Sequence, residues 1–394
     1  MSKLKTHQLP TNTLFSDLDF ENKNAVEIHF PTSIDAIEQR IQNIHPGKYA
    51  KTRNFINGAV TYLSPYIARG VISLPQIKES ILANYKKYEA EKLLQELAWR
   101  EYFQRIWQFY GDNIFTDVKQ PQQQVQHHQI PTAIVEASTR VDAIDVAIEN
   151  LYNTGYMHNH NRMYTAMLTC NVAKSHWKMP AQWLYYHLLD GDIASNTLSW
   201  QWVAGSFSSK KYYANQENIS KYSQSNQTKG YLANSYEQIA MMDVPDVLCA
   251  TTDLQLKTEL PTNTQLQLNA DLPLFVYNSY NLDPYWHVTE NANRILLLEP
   301  SHFQQFPISR KVLDFIIELG TTNITGLQIF VGSFNELMNL YINENYSNQK
   351  IIYKEHPTTK HYKGTEESRS WLFPNVSGNF NSFFAYWKKA ERYL

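Results

Sequence analysis

The segment LDGDIASNTLSWQW, residues 189–202, holds two carboxylates, an amide and two tryptophans in mostly apolar surroundings. If the chain is helical from Asp192 onward, Asp192, Asn196 and Trp200 lie at i, i+4 and i+8 on one face. An acid, an amide and an indole on one face suit a bound heteroaromatic cofactor better than a plain core. The acid and amide can hydrogen bond its polar edge, and the indole lies within electron-exchange distance. The segment therefore indicates a flavin protein.

The bulk composition is that of a globular chain of 394 residues, with 43% hydrophobic and 13% aromatic residues. That length suffices for two domains, or for one large domain with an appendage. A net charge of -2 argues against a surface that binds nucleic acid all over, although a local basic patch remains compatible with it. Two distant cysteines exclude a four-cysteine iron–sulfur cluster or zinc site, and no apolar run has membrane-spanning length. We therefore expect a cytoplasmic protein without a metal site.

Apolar residues recur at helical spacing over most of the chain before residue 205. Such patterns cover residues 33–44, 74–110, 132–153, 157–174 and 180–189. The fold class expected here is therefore mainly α. Residues 1–32 are polar and irregular, which predicts an N-terminal arm, and the helical domain is expected over 33–235.

The pattern changes after a polar linker, which we assign to residues 236–271. Residues 272–394 contain four short apolar runs that are typical of buried strands: LFVYNSY, RILLLEP, GLQIFVG and KIIYKEH. Helical spacing over 309–319 and 334–341 separates them, so a small α/β segment with a short parallel sheet is expected. The closing FNSFFAYWKKAERYL predicts an amphipathic helix that packs back on the protein.

Four blocks of the helical part resemble the FAD-binding domain of the photolyase/cryptochrome family, in the family's order. They are TYLSPYIARGVIS (61–73), ELAWREYFQRIW (96–107), the stretch 141–163 ending TGYMHNHNRM, and the DGDIASNTLSWQW segment. The resemblance implies a photolyase-type FAD-binding domain with FAD as cofactor. Members of this family usually carry an α/β antenna domain ahead of the helical domain, whereas here an α/β segment follows it. That segment is then a shortened, transposed relative of the antenna domain that holds a second chromophore, or a support for the helical domain; its shortness favours support.

The resemblance also implies which residues contact the cofactor. Hydroxyls and free N–H groups at the helix start near Ser64 would suit a diphosphate, and Arg162 is expected to pair with Asp190. An amide at Asn196, opposite the flavin N5, resembles photolyases. The implied cofactor-binding residues are Tyr49, Thr61, Leu63, Ser64, Arg100, Tyr156, Arg162, Asp190, Asp192 and Asn196.

Electron transfer is implied for Trp200 and Trp177, which match the inner two members of the family's tryptophan chain. The outer member should fall near His128, where the sequence has no tryptophan. Trp107 or a tyrosine is expected to substitute; otherwise photoreduction would be slow.

A substrate pocket for a flipped cyclobutane pyrimidine dimer is implied by Glu96, Trp99, Asn159, Met163 and Trp202. Such a lesion needs aromatic walls for two bases, and an acid and an amide for their polar edges. The acid must be protonated to donate to a carbonyl, and we expect a buried, apolar site to favour that state.

DNA contacts are expected from lysines that flank these blocks: Lys210, Lys211, Lys221 and Lys229. The interleaved Tyr212, Tyr213 and Tyr222 would stack on unpaired bases; the alternative is an ordinary solvated face. The resulting hypothesis is a light-dependent repair lyase that splits cyclobutane dimers in UV-damaged DNA by electron transfer from reduced FAD. The alternative is a blue-light photoreceptor without repair activity, which acts through a protein partner.

Overall fold

The computed structural model describes residues 28–341 and 350–394, so most of the expected N-terminal arm lies outside the described residues. Residues Pro31–Leu394 form one compact unit. Its secondary structure follows the predicted order, mainly α followed by a small parallel sheet, and the predicted fold class is confirmed.

The described helices before residue 205 are α1 (Ile34–Gln42), α2 (Pro46–Thr52), α3 (Ser64–Ala68), α4 (Leu74–Asn84), α5 (Lys87–Tyr110), α6 (Thr132–Val135), α7 (Asp142–Thr154), α8 (Asn159–Met167), α9 (Lys178–His187) and α10 (Ile193–Ala204). The pattern over 74–110 is interrupted, because Tyr85 and Lys86 have extended backbone and the Glu89 side chain caps a new helix start. The pattern over 132–153 also splits into two helices, α6 and α7. After α8 the chain continues as one π-helical turn, Leu168–Val172.

The expected linker contains short elements rather than coil alone. The helix α11 (Gln216–Ser223) precedes it, and α12 (Tyr236–Met241) lies at its start. A two-residue strand β2 (Thr251–Thr252) pairs antiparallel with β1 (Ile130–Pro131), which ties this segment to the helical part.

All four predicted apolar runs form strands of one parallel sheet. These four strands are β3 (Leu274–Tyr277), β4 (Asn293–Leu298), β5 (Leu327–Val331) and β6 (Ile351–Lys354). A fifth strand, β7 (Thr365–Glu367), completes the sheet, whose order is β5-β4-β3-β6-β7. β3 and β4 are buried throughout, as expected for central parallel strands. Sequence analysis missed β7 because its residues Thr-Glu-Glu are polar and lie at a sheet edge.

Helices cover the sheet and connect it to the helical part. They are α13 (Pro300–Gln305), α14 (Arg310–Asn323), α15 (Phe334–Tyr341) and α16 (Phe383–Ala390). The last is the predicted amphipathic helix, and its Tyr386 and Trp387 are buried. Glu101 of α5 accepts hydrogen bonds from the backbone N–H of Leu372 and Phe373 and from the Tyr386 hydroxyl, which fixes the C-terminal segment to α5.

Gly70 allows the loop after β3 to approach the end of α3. Its φ is +66°, and a Cβ at this position would lie 2.3 Å from the Tyr280 carbonyl oxygen. The neighbouring Arg69 carbonyl accepts a 2.9 Å hydrogen bond from the Leu282 N–H. A larger residue at 70 would separate these backbones.

Across the described residues, none of the helices combines the length and the apolar character needed to cross a membrane.

Candidate functional site

A cavity of about 420 Å³ lies among α5, α8, α10 and the loop that precedes α3. Most of the residues expected at the cofactor and the substrate line it. These are Tyr49, Thr61, Ser64, Glu96, Trp99, Arg100, Tyr156, Asn159, Arg162, Met163, Asp190, Asp192, Asn196, Trp200 and Trp202. The structure thus brings together, in one space, side chains from four separate blocks of the sequence.

The cavity has a buried floor and an open mouth. Tyr156, Asp190, Asp192 and Trp200, all expected at the cofactor or beside it, are buried. The residues expected at the substrate are more accessible: Asn159 is exposed, and Glu96, Trp99, Met163 and Trp202 are partly buried. A molecule held on the floor would therefore face a second one entering at the mouth.

Asp192 is the N-cap of α10 and the most heavily hydrogen-bonded acid of the floor. One carboxylate oxygen accepts from the backbone N–H of Ser195 at 2.7 Å, as an N-cap does. The other accepts from Arg100 Nη2 at 2.9 Å and from Gln104 Nε2 at 2.5 Å. Because Asp192 caps the helix, Asn196 and Trp200 follow it on the same face, as the spacing predicts.

Asp190 forms the expected ion pair with Arg162. Arg162 Nη2 lies 2.9 and 2.8 Å from the two carboxylate oxygens, and its Nε donates to the Met157 carbonyl at 2.7 Å. The fully buried Arg69 donates from Nε to the Leu189 carbonyl at 3.0 Å and so fixes the backbone just before Asp190.

Among the described residues that line the cavity, Ser195 and Trp200 each have a buried polar atom, Oγ and Nε1, without a hydrogen-bond partner. Leaving such an atom unpaired costs about 1–3 kcal/mol, so a bound polar molecule would compensate for it. Donors and acceptors on the floor, hydroxyls at the start of α3 and an indole beside them match the polar edge, the diphosphate and the ring of FAD. The residues present therefore fit that cofactor.

At the mouth of the cavity, the surroundings of Glu96 differ from those that the sequence predicts. Its carboxylate pairs with Arg53 Nη1 at 3.3 Å and with Lys92 Nζ at 2.9 Å. The expectation of apolar surroundings for this carboxyl is therefore wrong, because two cations lie beside it. On the same helix, Trp99 stacks on Phe383 of α16, with centroids 3.8 Å apart and planes inclined by 10°.

Two histidines at the start of α8 flank Asn159. Burial, together with the charges of His160 and Arg162, lowers the pKa of His158 to about 4. Burial and the charge of Arg53 lower the pKa of His160 to about 4 as well. Both imidazoles are therefore neutral at neutral pH, and the mouth gains no positive charge from them.

Trp177 does not line the main cavity. It is buried, donates from Nε1 to Asp117 at 2.7 Å, and borders a smaller cavity of about 40 Å³ that Asn196 also borders. Next to it, His176 lies 5.4 Å from the Trp177 ring and stacks on His128 at 4.8 Å. A pair of imidazoles thus occupies the region where the outer tryptophan was expected.

Two further candidates lie outside the main cavity. Leu63, expected to act through its backbone, is buried at the start of α3 and does not line the cavity. Trp107, a candidate outer electron donor, packs against Phe115 and His356.

The lysine candidates fall into two groups. Lys210, Lys221 and Lys229 are exposed. Lys211 is partly buried, its ammonium donates to the Gln123 carbonyl at 2.7 Å, and burial lowers its pKa to about 8. The expectation of a free surface cation is therefore wrong for Lys211.

The tyrosines that were expected to stack on unpaired bases already make contacts within the protein. Tyr212 and Tyr213 pack against the core of the helical part. Tyr222 contacts the rings of Phe55 and His160 at 5.1 and 5.0 Å.

Sequence reasoning missed several lining residues, including Tyr62, His158, Ser195 and Ser199. The two serines were accessible to it, because they lie three and seven residues after Asp192 and share its helix face. Tyr62 carried no such signal, since its placement depends on a left-handed backbone with φ of 52°.

Comparison with known proteins locates a family match in this region. Residues 93–260 match the family model for the FAD binding domain of DNA photolyase. Cryptochrome DASH of Danio rerio is 32% identical over 175 residues, which cover 40% of this chain and 32% of the relative. The deoxyribodipyrimidine photo-lyase of Escherichia coli (strain K12) is 29% identical over 204 residues, covering 48% of this chain and 42% of the relative.

The matched region is only part of each relative. The deoxyribodipyrimidine photo-lyase of Alkalihalophilus pseudofirmus is 32% identical, and the match covers 34% of its length. Among solved structures, the Synechocystis sp. PCC6803 cryptochrome superposes with a TM-score of 0.44 at 25% identity, covering 50% of this chain and 44% of that one. The chain thus spans between about a third and two fifths of the length of these curated relatives.

Proposed function

We propose that the chain binds FAD and splits cyclobutane pyrimidine dimers in UV-damaged DNA under blue light, on the ground that residues 93–260 match the family model for the FAD binding domain of DNA photolyase. The observation that carries the proposal is the single cavity with a buried polar floor and an aromatic mouth. A cofactor on the floor and a flipped lesion at the mouth would lie next to each other.

The floor residues act on the cofactor. Asp190 and Asp192 are held in place by Arg162 and Arg100, so they offer fixed acceptors to the N–H groups of a flavin. The Asn196 amide is oriented by its 2.8 Å bond from Nδ2 to the Ala181 carbonyl. When bound and reduced, FAD supplies the light-driven electron that opens the dimer.

The mouth residues act on the lesion. Trp99 and Trp202 provide apolar walls for the two bases, and the exposed Asn159 amide can both donate and accept at a pyrimidine edge. Glu96, which is paired with Arg53 and Lys92, would contact the polar edge of a base through its carboxyl oxygens. Met163 completes the wall from α8.

Electron supply from the surface is assigned to Trp200 and, beyond it, Trp177. Trp200 borders the main cavity, and Trp177 is buried close to Asn196. Two buried indoles that border these two cavities would suit stepwise electron transfer towards the cofactor.

The test is repair of a defined lesion. Protein loaded with FAD and reduced is mixed with an oligonucleotide carrying one thymine dimer, and recovery of thymine absorbance is followed in the dark and under blue light. The Glu96→Ala/Asn159→Ala variant should lose at least about tenfold in repair, since each change removes a hydrogen bond to the lesion.

Glu91→Ala/Asn150→Ala is the matched control, because both residues are exposed on helices of the same domain. It should repair like the wild type. FAD-loaded wild-type protein that shows no light-dependent recovery would refute the repair function.

A blue-light photoreceptor is the second candidate. The ion pairs of Glu96 and the stacking of Phe383 on Trp99 favour it, because both occupy groups that a lesion would need. The two candidates differ in their affinity for DNA: a repair enzyme binds UV-irradiated duplex more tightly than undamaged duplex, and a photoreceptor does not. The preference is measured by competition between the two duplexes.

The remaining parts are assigned on the same basis. Lys210, Lys221 and Lys229 are exposed and supply the DNA contacts. Residues 33–235, together with the matched segment up to residue 260, are assigned to the FAD domain, and residues 272–394 to a support for it rather than an antenna with a second chromophore.

A further inference from the structure

A chain of hydrogen bonds connects the parallel sheet to the floor of the main cavity. Its first member is Glu355, which follows β6 directly and whose backbone N–H donates to the Glu367 carbonyl of β7 at 2.7 Å. Its carboxylate holds Arg369 through two bonds, from Nε at 2.8 Å and from Nη2 at 3.1 Å. This bidentate pairing fixes the plane of the guanidinium.

Arg369 in turn fixes the side-chain amide of Gln104. Arg369 Nη1 donates to Gln104 Oε1 at 2.6 Å, and Gln104 Nε2 donates to Asp192 at 2.5 Å. A guanidinium has only donors, so the oxygen of the amide must face Arg369 and the nitrogen must face Asp192. The Gln104 side chain is 7% exposed, so water contributes little to its orientation.

Without Arg369, the Gln104 amide loses the donor on its oxygen and is oriented by Asp192 alone. The amide can then rotate away from Asp192, which would remove one of the two side-chain donors on that carboxylate oxygen. The donors that remain to Asp192 would be Arg100 and the backbone N–H of Ser195. The hydrogen bonding of Asp192 therefore depends on a residue that belongs to the C-terminal segment.

We propose that Arg369 and Gln104 are positioning residues through which the C-terminal segment sets the affinity and the reduction potential of FAD bound at Asp192. This inference rests on the FAD binding proposed above. An Asp192 carboxylate with fewer donors has a less compensated charge, so it opposes more strongly the electrons that reduction adds to the flavin. Loss of the relay should therefore weaken FAD binding and shift the reduction potential to more negative values.

The substitution Arg369→Gln tests the relay in the full chain. Arg369, Glu355, Gln104 and Asp192 border a cavity of about 120 Å³, so shortening residue 369 enlarges an existing space rather than a packed core. We expect FAD to dissociate about tenfold more readily, which is the usual effect of losing a hydrogen bond to a charged group. The reduction potential should become more negative, and Arg369→Lys, which keeps the charge but not the fork, should lie between the two proteins.

A double-mutant cycle separates the relay from general destabilisation. In a Gln104→Leu background, Arg369→Gln should change neither the FAD affinity nor the reduction potential further, because Arg369 acts only through Gln104. Arg310→Gln is the matched control, since Arg310 is an exposed arginine paired with Asp314 on α14. It should leave both quantities at their wild-type values.

The outcomes are distinguishable from failure of the proposed function. Wild-type protein that takes up no FAD would remove the premise. Wild-type protein that binds FAD, with an Arg369→Gln variant of unchanged affinity and potential, would overturn the relay and leave FAD binding intact. Fully additive effects of Arg369→Gln and Gln104→Leu would overturn it as well.

Discussion

Among the described residues, buried polar side chains are left without a hydrogen-bond partner more often in the helical part than in the sheet part. In the sheet part, buried Glu299 accepts hydrogen bonds from the Phe334 N–H, the His361 ring and the Tyr362 hydroxyl, each at 3.0 Å. In the described helical part, Ser195 and Trp200 each leave a buried polar atom unpaired at the cavity wall, as do six residues elsewhere in that part. Of the described residues from 272 onward, Asn281 alone shows such an atom.

This difference distinguishes a binding part from a supporting part. A polar group that is satisfied within the fold stabilises the fold, whereas a cluster of unsatisfied groups around a cavity is stabilised when a ligand arrives. On the assignment proposed above, the helical part binds the cofactor and the sheet part supports it, and the proposed link between them runs from Arg369 through Gln104 to Asp192.

The comparison is tested most strongly by removing one buried carboxylate from each part. Asp192→Ala and Glu299→Ala should each lower the free energy of unfolding by about 3 kcal/mol, because several buried donors lose their acceptor. Only Asp192→Ala should also abolish FAD uptake. Urea denaturation and FAD titration measure the two effects.

The exposed Asp314, paired with Arg310 on α14, provides the control, and Asp314→Ala should change neither quantity. If Glu299→Ala abolished FAD uptake while the protein stayed folded, the division into a binding part and a supporting part would be wrong.

The next largest loss of stability is expected when the contact between α16 and α5 is removed. Phe383 is 2% exposed and stacks on Trp99, so Phe383→Ala should cost about 3 kcal/mol of unfolding free energy. FAD uptake should be retained, because Phe383 does not line the main cavity. Its neighbour Phe384 is 69% exposed, so Phe384→Ala should have almost no effect on stability. Equal costs for the two variants would show that α16 does not pack as described.

The sequence predicts the helical part better than the details of the mouth. Helical spacing from Asp192 correctly places Asn196 and Trp200 on one face, and the Asp190–Arg162 pair was implied by the resemblance. Those features depend on local spacing and on the order of motifs. Phe383 on Trp99 and Arg53 at Glu96 could not be predicted, because they join residues that are distant in sequence and carry no shared motif.

The sheet was predictable for a different reason. Buried parallel strands have uniformly apolar sequences, and all four such runs form strands. The polar edge strand β7 lacks that signal, and so does the link from Arg369 to Gln104 across 265 positions of sequence.

The cavity wall should make stability depend on pH. The pKa of His158 is lowered to about 4 by burial, whereas its ordinary value is 6.5. The unfolded chain binds a proton at His158 more readily than the folded chain does. The contribution of the neutral imidazole to the free energy of unfolding is therefore complete above about pH 6.5 and is lost as the pH falls towards 4. In the wild type this lowers the free energy of unfolding by about 3 kcal/mol over that interval, and His158→Gln should remove that decrease.

Urea denaturation at a series of pH values measures this dependence. His45→Gln, at an exposed histidine, should keep the wild-type slope. A His158→Gln variant with the same slope as the wild type would contradict the assignment of a buried, neutral imidazole to the cavity wall.

The smallest effects are expected at the surface lysines. Lys210→Ala, Lys221→Ala and Lys229→Ala should each weaken DNA binding a few-fold and lower the salt dependence of the affinity by about one unit of slope. Lys211→Ala should leave the slope unchanged, because its ammonium is engaged by the Gln123 carbonyl. Titration of labelled duplex at several salt concentrations separates the three exposed lysines from Lys211. If the slope changed only in Lys211→Ala, the assignment of the DNA contacts to the three exposed lysines would be wrong.

FAD uptake tests the central claim most directly. Apoprotein is titrated with FAD and the bound flavin is followed by its absorption and fluorescence, for the wild type and for two tryptophan variants. Asn196→Trp fills the cavity, whereas Asn150→Trp makes the same replacement at an exposed position of α7. We predict one FAD per chain in the wild type and in Asn150→Trp, and none in Asn196→Trp. Failure of the folded wild-type protein to bind FAD, or equal binding by all three proteins, would contradict the assignment of this cavity.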